Sequence, residues 1–212
     1  MALLHHADLR PSKLELMAAW LPGQPWFEAG SNGLQSLGAY RFDDPDGEVG
    51  IETHILRIEV DRTLQVPLTY RAAPLGGAEA WLAGTLMHSV LGRRWVYDAC
   101  ADPVYATALA ATIFRGGTEA EEYFEDDGRR ESRVSTVSVM GSGSPNDADQ
   151  PPVVELTCST RETVTVIAAS GLELSLHRVI DASTSAVDGS DTLMGTWAGA
   201  AVPVLLATAR RT

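Results

Sequence analysis

Alternation with a period of two, broken once, constrains this chain more than any other feature of its sequence. Residues 34–42 read as a strand, and Asp43-Asp44-Pro45-Asp46-Gly47 as the turn that follows. In the next strand Val49, Ile51, Thr53 and Ile55 share one face, whereas Leu56, Ile58 and Val60 hold the other parity. Side chains alternate across a strand, so this slip of phase predicts a β-bulge or sharp bend near Ile55-Leu56, and hence a curved sheet. A third strand places Leu64, Val66, Leu68 and Tyr70 on one face. Its Pro67 has no amide hydrogen for a ladder, which points to an edge or a bulge.

Two helices are expected beside the sheet. Ser12 and Glu15 form a capping box, Leu14, Met17, Ala18 and Leu21 recur at helical spacing, and Pro22-Gly23 ends the run. Asp102-Pro103 opens a second helix whose packing face is Val104, Ala108, Leu109, Thr112 and Ile113, closed by Gly116-Gly117. Residues 81–89 and 94–100 read as two strands, 134–140 as another, and 153–158, 164–168, 172–179, 192–197 and 202–207 as short strands. Residues 119–127 hold six carboxylates in nine positions and read as a solvated helix end or loop, and residues 141–152 as a flexible connection. The fold class expected is α+β: a curved, mostly antiparallel β-sheet with packed helices.

Composition excludes several functions. The 212 residues, 45% hydrophobic and 21% charged, are enough to bury a core. A net charge of −12 argues against nucleic acid or an anionic membrane as partner. The longest apolar runs, such as residues 202–207, are too short to span a bilayer, and the N-terminus lacks the basic and apolar regions of a signal peptide. Cys100 and Cys158 make neither a disulfide framework nor a zinc spacing, which places the chain in a reducing cytoplasm. Lys13 is the only lysine; Arg93-Arg94 and Arg129-Arg130 read as turn or loop charges, and Arg210-Arg211 as a solvated tail.

No complete catalytic constellation is present. Lys13 follows Ser12 with no glycine before it, so it is not a phosphate-loop lysine, and Gly141-Ser142-Gly143-Ser144 runs into Pro145 rather than a helix. The histidines (His5, His6, His54, His88, His177) are dispersed, and the 43–47 acids lack the glutamate of a calcium loop. His88-Ser89 with Asp98 is the nearest approach to a triad, but adjacent strand residues face opposite ways. We therefore expect no catalytic residue, no metal and no cofactor.

Three segments carry a family resemblance: Trp20-Leu21-Pro22-Gly23-Gln24-Pro25-Trp26-Phe27-Glu28-Ala29-Gly30, residues 82–98, and Asp102-Pro103-Val104-Tyr105. They resemble the N-terminal cap of actinobacterial maltokinases, and more closely the short stand-alone proteins that carry a cap-like domain. The later Gly195-Thr196-Trp197 and residues 203–207 resemble those stand-alone proteins too. The resemblance implies a cystatin-like cap over residues 1–125, with residues 126–212 an additional β-rich segment packed on the same sheet. It also implies a non-catalytic accessory or binding module tied to α-glucan, maltose or trehalose metabolism. Pro25 stands where the family has arginine, and Ser175 where a kinase strand carries its ATP-binding lysine, so ATP chemistry is not expected, nor a catalytic lobe after Thr212. The candidate contact surface is the loop of residues 23–33 with Trp26 and Phe27, supported by Trp20, Gln24 and Trp95. A protein partner, a small sugar in a cavity of the sheet lined by His54 or His88, and a homo-oligomer remain open.

Overall fold

The protein is described by a computed structural model that covers residues 2–4, 6–28, 33–59, 62–126, 129–147, 153, 155–186, 188–200 and 202–212. In chain order its elements are β1 (Ala2–Leu4), β2 (Leu9–Arg10), α1 (Lys13–Trp20), β3 (Gln35–Phe42), β4 (Gly50–Glu59), β5 (Arg62–Arg71), β6 (Leu82–His88), β7 (Gly92–Asp98) and α2 (Pro103–Phe114). There follow β8 (Glu122–Asp126), β9 (Arg129–Arg133), β10 (Val137–Gly141), β11 (Thr157–Arg161), β12 (Val164–Ala169), β13 (Leu172–His177), β14 (Val179–Ile180), β15 (Asp191–Trp197) and β16 (Val204–Arg211). One sheet runs β2-β6-β7-β5-β4-β3 with β14 added to β5, a second runs β10-β15-β16-β13-β12-β11, and a small third runs β1-β8-β9. Apart from β1 on β8, these pairings are antiparallel. The architecture is thus mostly antiparallel β with two short helices among the described residues.

Both helices start where their caps dictate. Ser12 and Glu15 close the capping box on α1, and Asp102 accepts from the Val104 N–H ahead of Pro103. Each helix covers one face of the first sheet. Leu16 and Met17 of α1, with Leu21 just after it, bury against Leu56, Ile58, Leu64, Val66, Leu68, Leu86 and Val96. Tyr105, Leu109 and Ile113 of α2 share a core with Tyr40, Ile51 and Ile55 of that sheet and with Leu174, Leu193 and Leu206 of the second. Each fully buried aliphatic side chain contributes about 1.5–3 kcal/mol, so α2 ties the two sheets together.

The broken alternation of β4 has two causes. The strand is buried on both faces from Ile51 to Leu56, so both parities carry apolar residues: Ile51 and Ile55 toward α2, Leu56 and Ile58 toward α1. A bulge does lie at Ile55-Leu56, but the extra residue belongs to the neighbouring strand, where Leu37 has no partner between Ser36↔Leu56 and Gly38↔Ile55. Pro67 is on neither an edge nor a bulge. It falls where β5 changes partner from β14 (Val179↔Leu64) to β7 (Leu68↔Asp98), and no ladder hydrogen bond is needed there.

Three further expectations are corrected: those for the acidic run, for the arginine pairs and for the 141–152 connection. The acidic run is not a loop: residues 122–126 form β8, paired in register with the arginines of β9, Glu122↔Arg133 and Glu125↔Arg130, so opposite charges meet across the hairpin. Arg93 and Arg94 likewise lie in β7 and Arg129 and Arg130 in β9 rather than in turns. The first residues of the 141–152 connection are fixed, not free. Gly143 and Ser144 donate to the carbonyls of Ile113 and Phe114, and a Cβ on Gly143 would stand 1.9 Å from the Phe114 oxygen. Residues 148–152 lie outside the described residues. Finally, residues 137–211 supply the strands of the second sheet, which reaches the first through β14, α2 and side-chain bonds. Gln65, fully buried in β5, donates to the Leu206 carbonyl at 2.9 Å.

Candidate functional site

The α1 face of the first sheet is apolar at one end and charged at the other. On β4 the parity of Leu56 and Ile58 continues back through His54 and Glu52, so a carboxylate and an imidazole occupy positions that face the helix side. Glu52 is nearly buried and collects three partners: Lys13 Nζ from the start of α1, Arg41 Nη2 at 3.0 Å from β3, and His54 Nε2 at 3.3 Å. Burial alone would raise the Glu52 carboxyl, but the charges of Arg41, His54 and Lys13 outweigh it and hold it well below the ordinary range. Tyr70 lies beside them, its hydroxyl 3.3 Å from His54 Nε2 and its ring 5.5 Å from Lys13 Nζ. Burial and the neighbouring Glu52 charge push the Tyr70 phenol well up.

A second buried carboxylate closes the far side. Glu122 of β8 lies 3.8 Å from Arg41 Nε and 3.8 Å from Arg133 Nε. Burial raises it, and the guanidinium groups offset this only in part. Arg41 thus stands between two carboxylates shifted in opposite directions. Lys13, Arg41, Glu52, Tyr70 and Arg133 line a cleft of about 610 Å³, completed by Arg94 and His88 of the β6–β7 hairpin, the β3–β4 turn, and Phe124; His54 and Glu122 are outside its lining and reach it through Tyr70 and Arg41. The size lies in the range of small-molecule sites. His6 stacks on Phe124 with centroids 4.1 Å apart at the cleft's edge.

The residues singled out from sequence are distributed differently. Trp20, Trp26 and Phe27 come together, but inward, in the core under α1; Trp26 is only 2% exposed, packed edge-to-face on Trp20 and lying 5.0 Å from Arg178 Cζ. Gln24 is half-buried, with Nε2 reaching the Trp20 carbonyl at 3.5 Å. Loop residues Trp26 and Phe27 therefore hold α1 to the sheet, because an indole beside a buried guanidinium loses more in water than it gains. Residues 29–32 of that loop lie outside the described residues. Trp95 is separate, half-exposed on the opposite face of β7.

His88, Ser89 and Asp98 do not converge. His88 Nδ1 accepts from the Val90 and Leu91 amides, Ser89 Oγ accepts from the Asp8 amide, and Asp98 is buried against Arg178. Ser175 sits mid-β13 between the buried Leu174 and Leu176. Among the described residues no group of three His, Cys, Asp or Glu side chains is placed to hold a metal; His5 lies outside them. The cleft residues Arg41, Glu52, Tyr70, Arg94 and Arg133, with Glu122 beside Arg41, were missed from sequence and had one signal: Glu52 and His54 at the buried parity of β4.

The site is thus a charged cleft at one end of a curved, mostly antiparallel sheet with a helix on each face. Residues 20–102 match the family described as the maltokinase N-terminal cap domain, so the protein carries a cap-like domain over the segment that holds α1's end, β3 to β7 and Asp102. That cap is a non-catalytic N-terminal module of maltokinases. No curated protein matches the chain. No helix among the described residues is long and apolar enough to cross a membrane.

Proposed function

We propose that the protein is a non-catalytic, cystatin-like cap module that acts in the cytoplasm as an accessory in α-glucan, maltose or trehalose metabolism, binding a small polar ligand in the cleft beside α1. The cap-domain match supports the metabolic setting. The observation that carries the binding reading is the cleft itself. In its lining Lys13, Arg41, Arg94 and Arg133 are matched by Asp43, Asp44, Glu48 and Glu52, so it offers donors and acceptors in quantity without a net formal charge to satisfy. The Tyr70 and Phe124 rings at its wall supply apolar faces. Interleaved polar groups and ring faces suit a hydroxyl-rich molecule such as a sugar.

A thermal-shift series against maltose, trehalose, glucosamine, their phosphates and nucleotides tests this. A ligand at about 100 times its Kd adds roughly 2.7 kcal/mol to the native state. A sugar should raise the midpoint in the parent and not in Arg94→Ala, whose side chain lines the cleft without entering the buried network. A flat series, or a shift that survives Arg94→Ala, overturns the reading.

A second reading, an enzyme that uses the same cleft, has one observation in its favour. Glu52 on the cleft wall is held low, while Glu122, on the far side of Arg41 from it, is raised, so groups of base and acid character flank one guanidinium. Product formation from a sugar ester or glycoside, abolished by Glu122→Gln, would select it.

A further inference from the structure

The outer face of β2, β6 and β7, opposite the cleft, is a sheet surface that neither α2 nor the second sheet covers. Register fixes its composition. Arg10 pairs with Met87 and Met87 with Arg93, giving one row across three strands, and the adjacent row is Thr85, Trp95 and Arg71. Met87 is 50% exposed, Leu82 on the same side 38%, and Val90 in the hairpin turn 57%.

Of the three arginines on this surface, two are unanswered among the described residues. Arg71 is held by Asp102 through two 2.7 Å bonds. Arg10 and Arg93, both exposed, form no ion pair among the described residues, and Arg93 lies 5.9 Å from the Trp95 ring centroid. The nearest carboxylate in sequence, Asp8, is within ion-pair distance of neither. In a chain of net charge −12, two unpaired guanidinium groups flanking an exposed Met87 and a half-buried Trp95 are a local reversal of sign.

We propose that this face docks an acidic segment of a partner protein, carrying two carboxylates about 10 Å apart around an apolar side chain. The spacing follows from three strands set roughly 4.8 Å apart, and the carboxylates meet Arg10 and Arg93 while the apolar group covers Met87 and Trp95. Guanidinium pairs carboxylates in bidentate geometry, and Trp and Arg are the residue types that concentrate binding energy at interfaces. Long polyanions are disfavoured, because the rest of the surface repels them.

The probe is a fluorescein-labelled peptide with aspartates three residues apart around a phenylalanine, titrated with the full chain and read by anisotropy. Saturable binding should weaken about tenfold in Arg93→Glu and again in Arg10→Glu, weaken at high salt, and vanish for the peptide with asparagines. Both side chains are exposed, so the variants should keep the parent's thermal midpoint; Met87→Ser provides a second check that leaves charge unchanged. No saturable binding, binding indifferent to these variants, or variant-sensitive binding of phosphatidylserine vesicles or single-stranded DNA in place of the peptide overturns the proposal. The cleft ligand is read separately, by Arg94→Ala, so the two assignments fail independently.

Discussion

Arg178 and Asp98, 80 residues apart in the chain, form an ion pair in which both side chains are fully buried, Nη2 to Oδ2 2.7 Å. Arg178 Nε also donates to Thr165 Oγ1 at 2.8 Å, and its Cζ lies 5.0 Å from the Trp26 ring. The pair spans the point beside Pro67 where β5 changes partner, and so links the second sheet to the end of β7 and to the core under α1.

Removing one member of that pair leaves the other charge without a partner in the interior. Arg178→Met should lower the unfolding free energy by about 3–5 kcal/mol in urea titrations. Arg178→Met combined with Asp98→Asn should recover part of the loss, since the uncompensated charge is then gone. A single variant as stable as the parent would show the pair to be dispensable.

Glu52 makes acid sensitivity predictable. Its folded-state carboxyl is held well below the ordinary range, so the folded state binds that proton more weakly than the unfolded chain does. The contribution is fully present above the unfolded value of about 4.3 and is lost as pH falls through the folded one. Glu52→Gln should cost about 2 kcal/mol at neutral pH, less than a wholly buried pair because Lys13 reaches solvent. Its stability should also fall less steeply below about pH 4, as measured by denaturation across pH.

Gly143 has no room for a side chain. A Cβ there would meet the Phe114 oxygen at 1.9 Å and carbon at 2.2 Å, both backbone atoms. Gly143→Ala should cost about 2 kcal/mol or more through strain and loss of the bonds that close α2. Gly23→Ala, with nothing within 4 Å of the added carbon, should change stability by less than about 0.5 kcal/mol. Thermal unfolding of the two variants compares them.

Neither cysteine should react with a disulfide reagent at pH 8 in the native state. Burial pushes the Cys100 thiol well up and Cys158 up to about 12, leaving almost no thiolate. Both should react in denaturant. Rapid labelling of Cys158 under native conditions would contradict the burial described here.

Local signals were legible wherever the physics is local. The capping box at Ser12 and Glu15, the Asp102-Pro103 start of α2, and the strand from 50 to 59 are set by neighbours within a few residues. The acidic run was misread because its meaning lies in β9: a row of carboxylates is a loop in isolation and a strand when arginines stand opposite. Trp26 was misplaced for the same reason. An aromatic in a Pro/Gly-rich loop suggests a surface, and only Arg178, 152 positions away, shows what the ring packs on. The candidate cleft and the network around it were barely legible, since Lys13, Arg41, Glu52, Glu122 and Arg133 come from five separate elements and only the Glu52–His54 parity hinted at it.

By itself the sequence determined the period of the strands, the caps of both helices, the acidic balance and the cap-like stretch within residues 20–102. These rest on backbone geometry, side-chain alternation and composition, which act over short separations. Tertiary structure decided which charges are buried together, which tryptophans face inward, and that Arg10 and Arg93 share one exposed row while Arg41 sits between two carboxylates. The physical reason is that strand register and desolvation couple residues by spatial neighbourhood, and a linear chain does not state its neighbours.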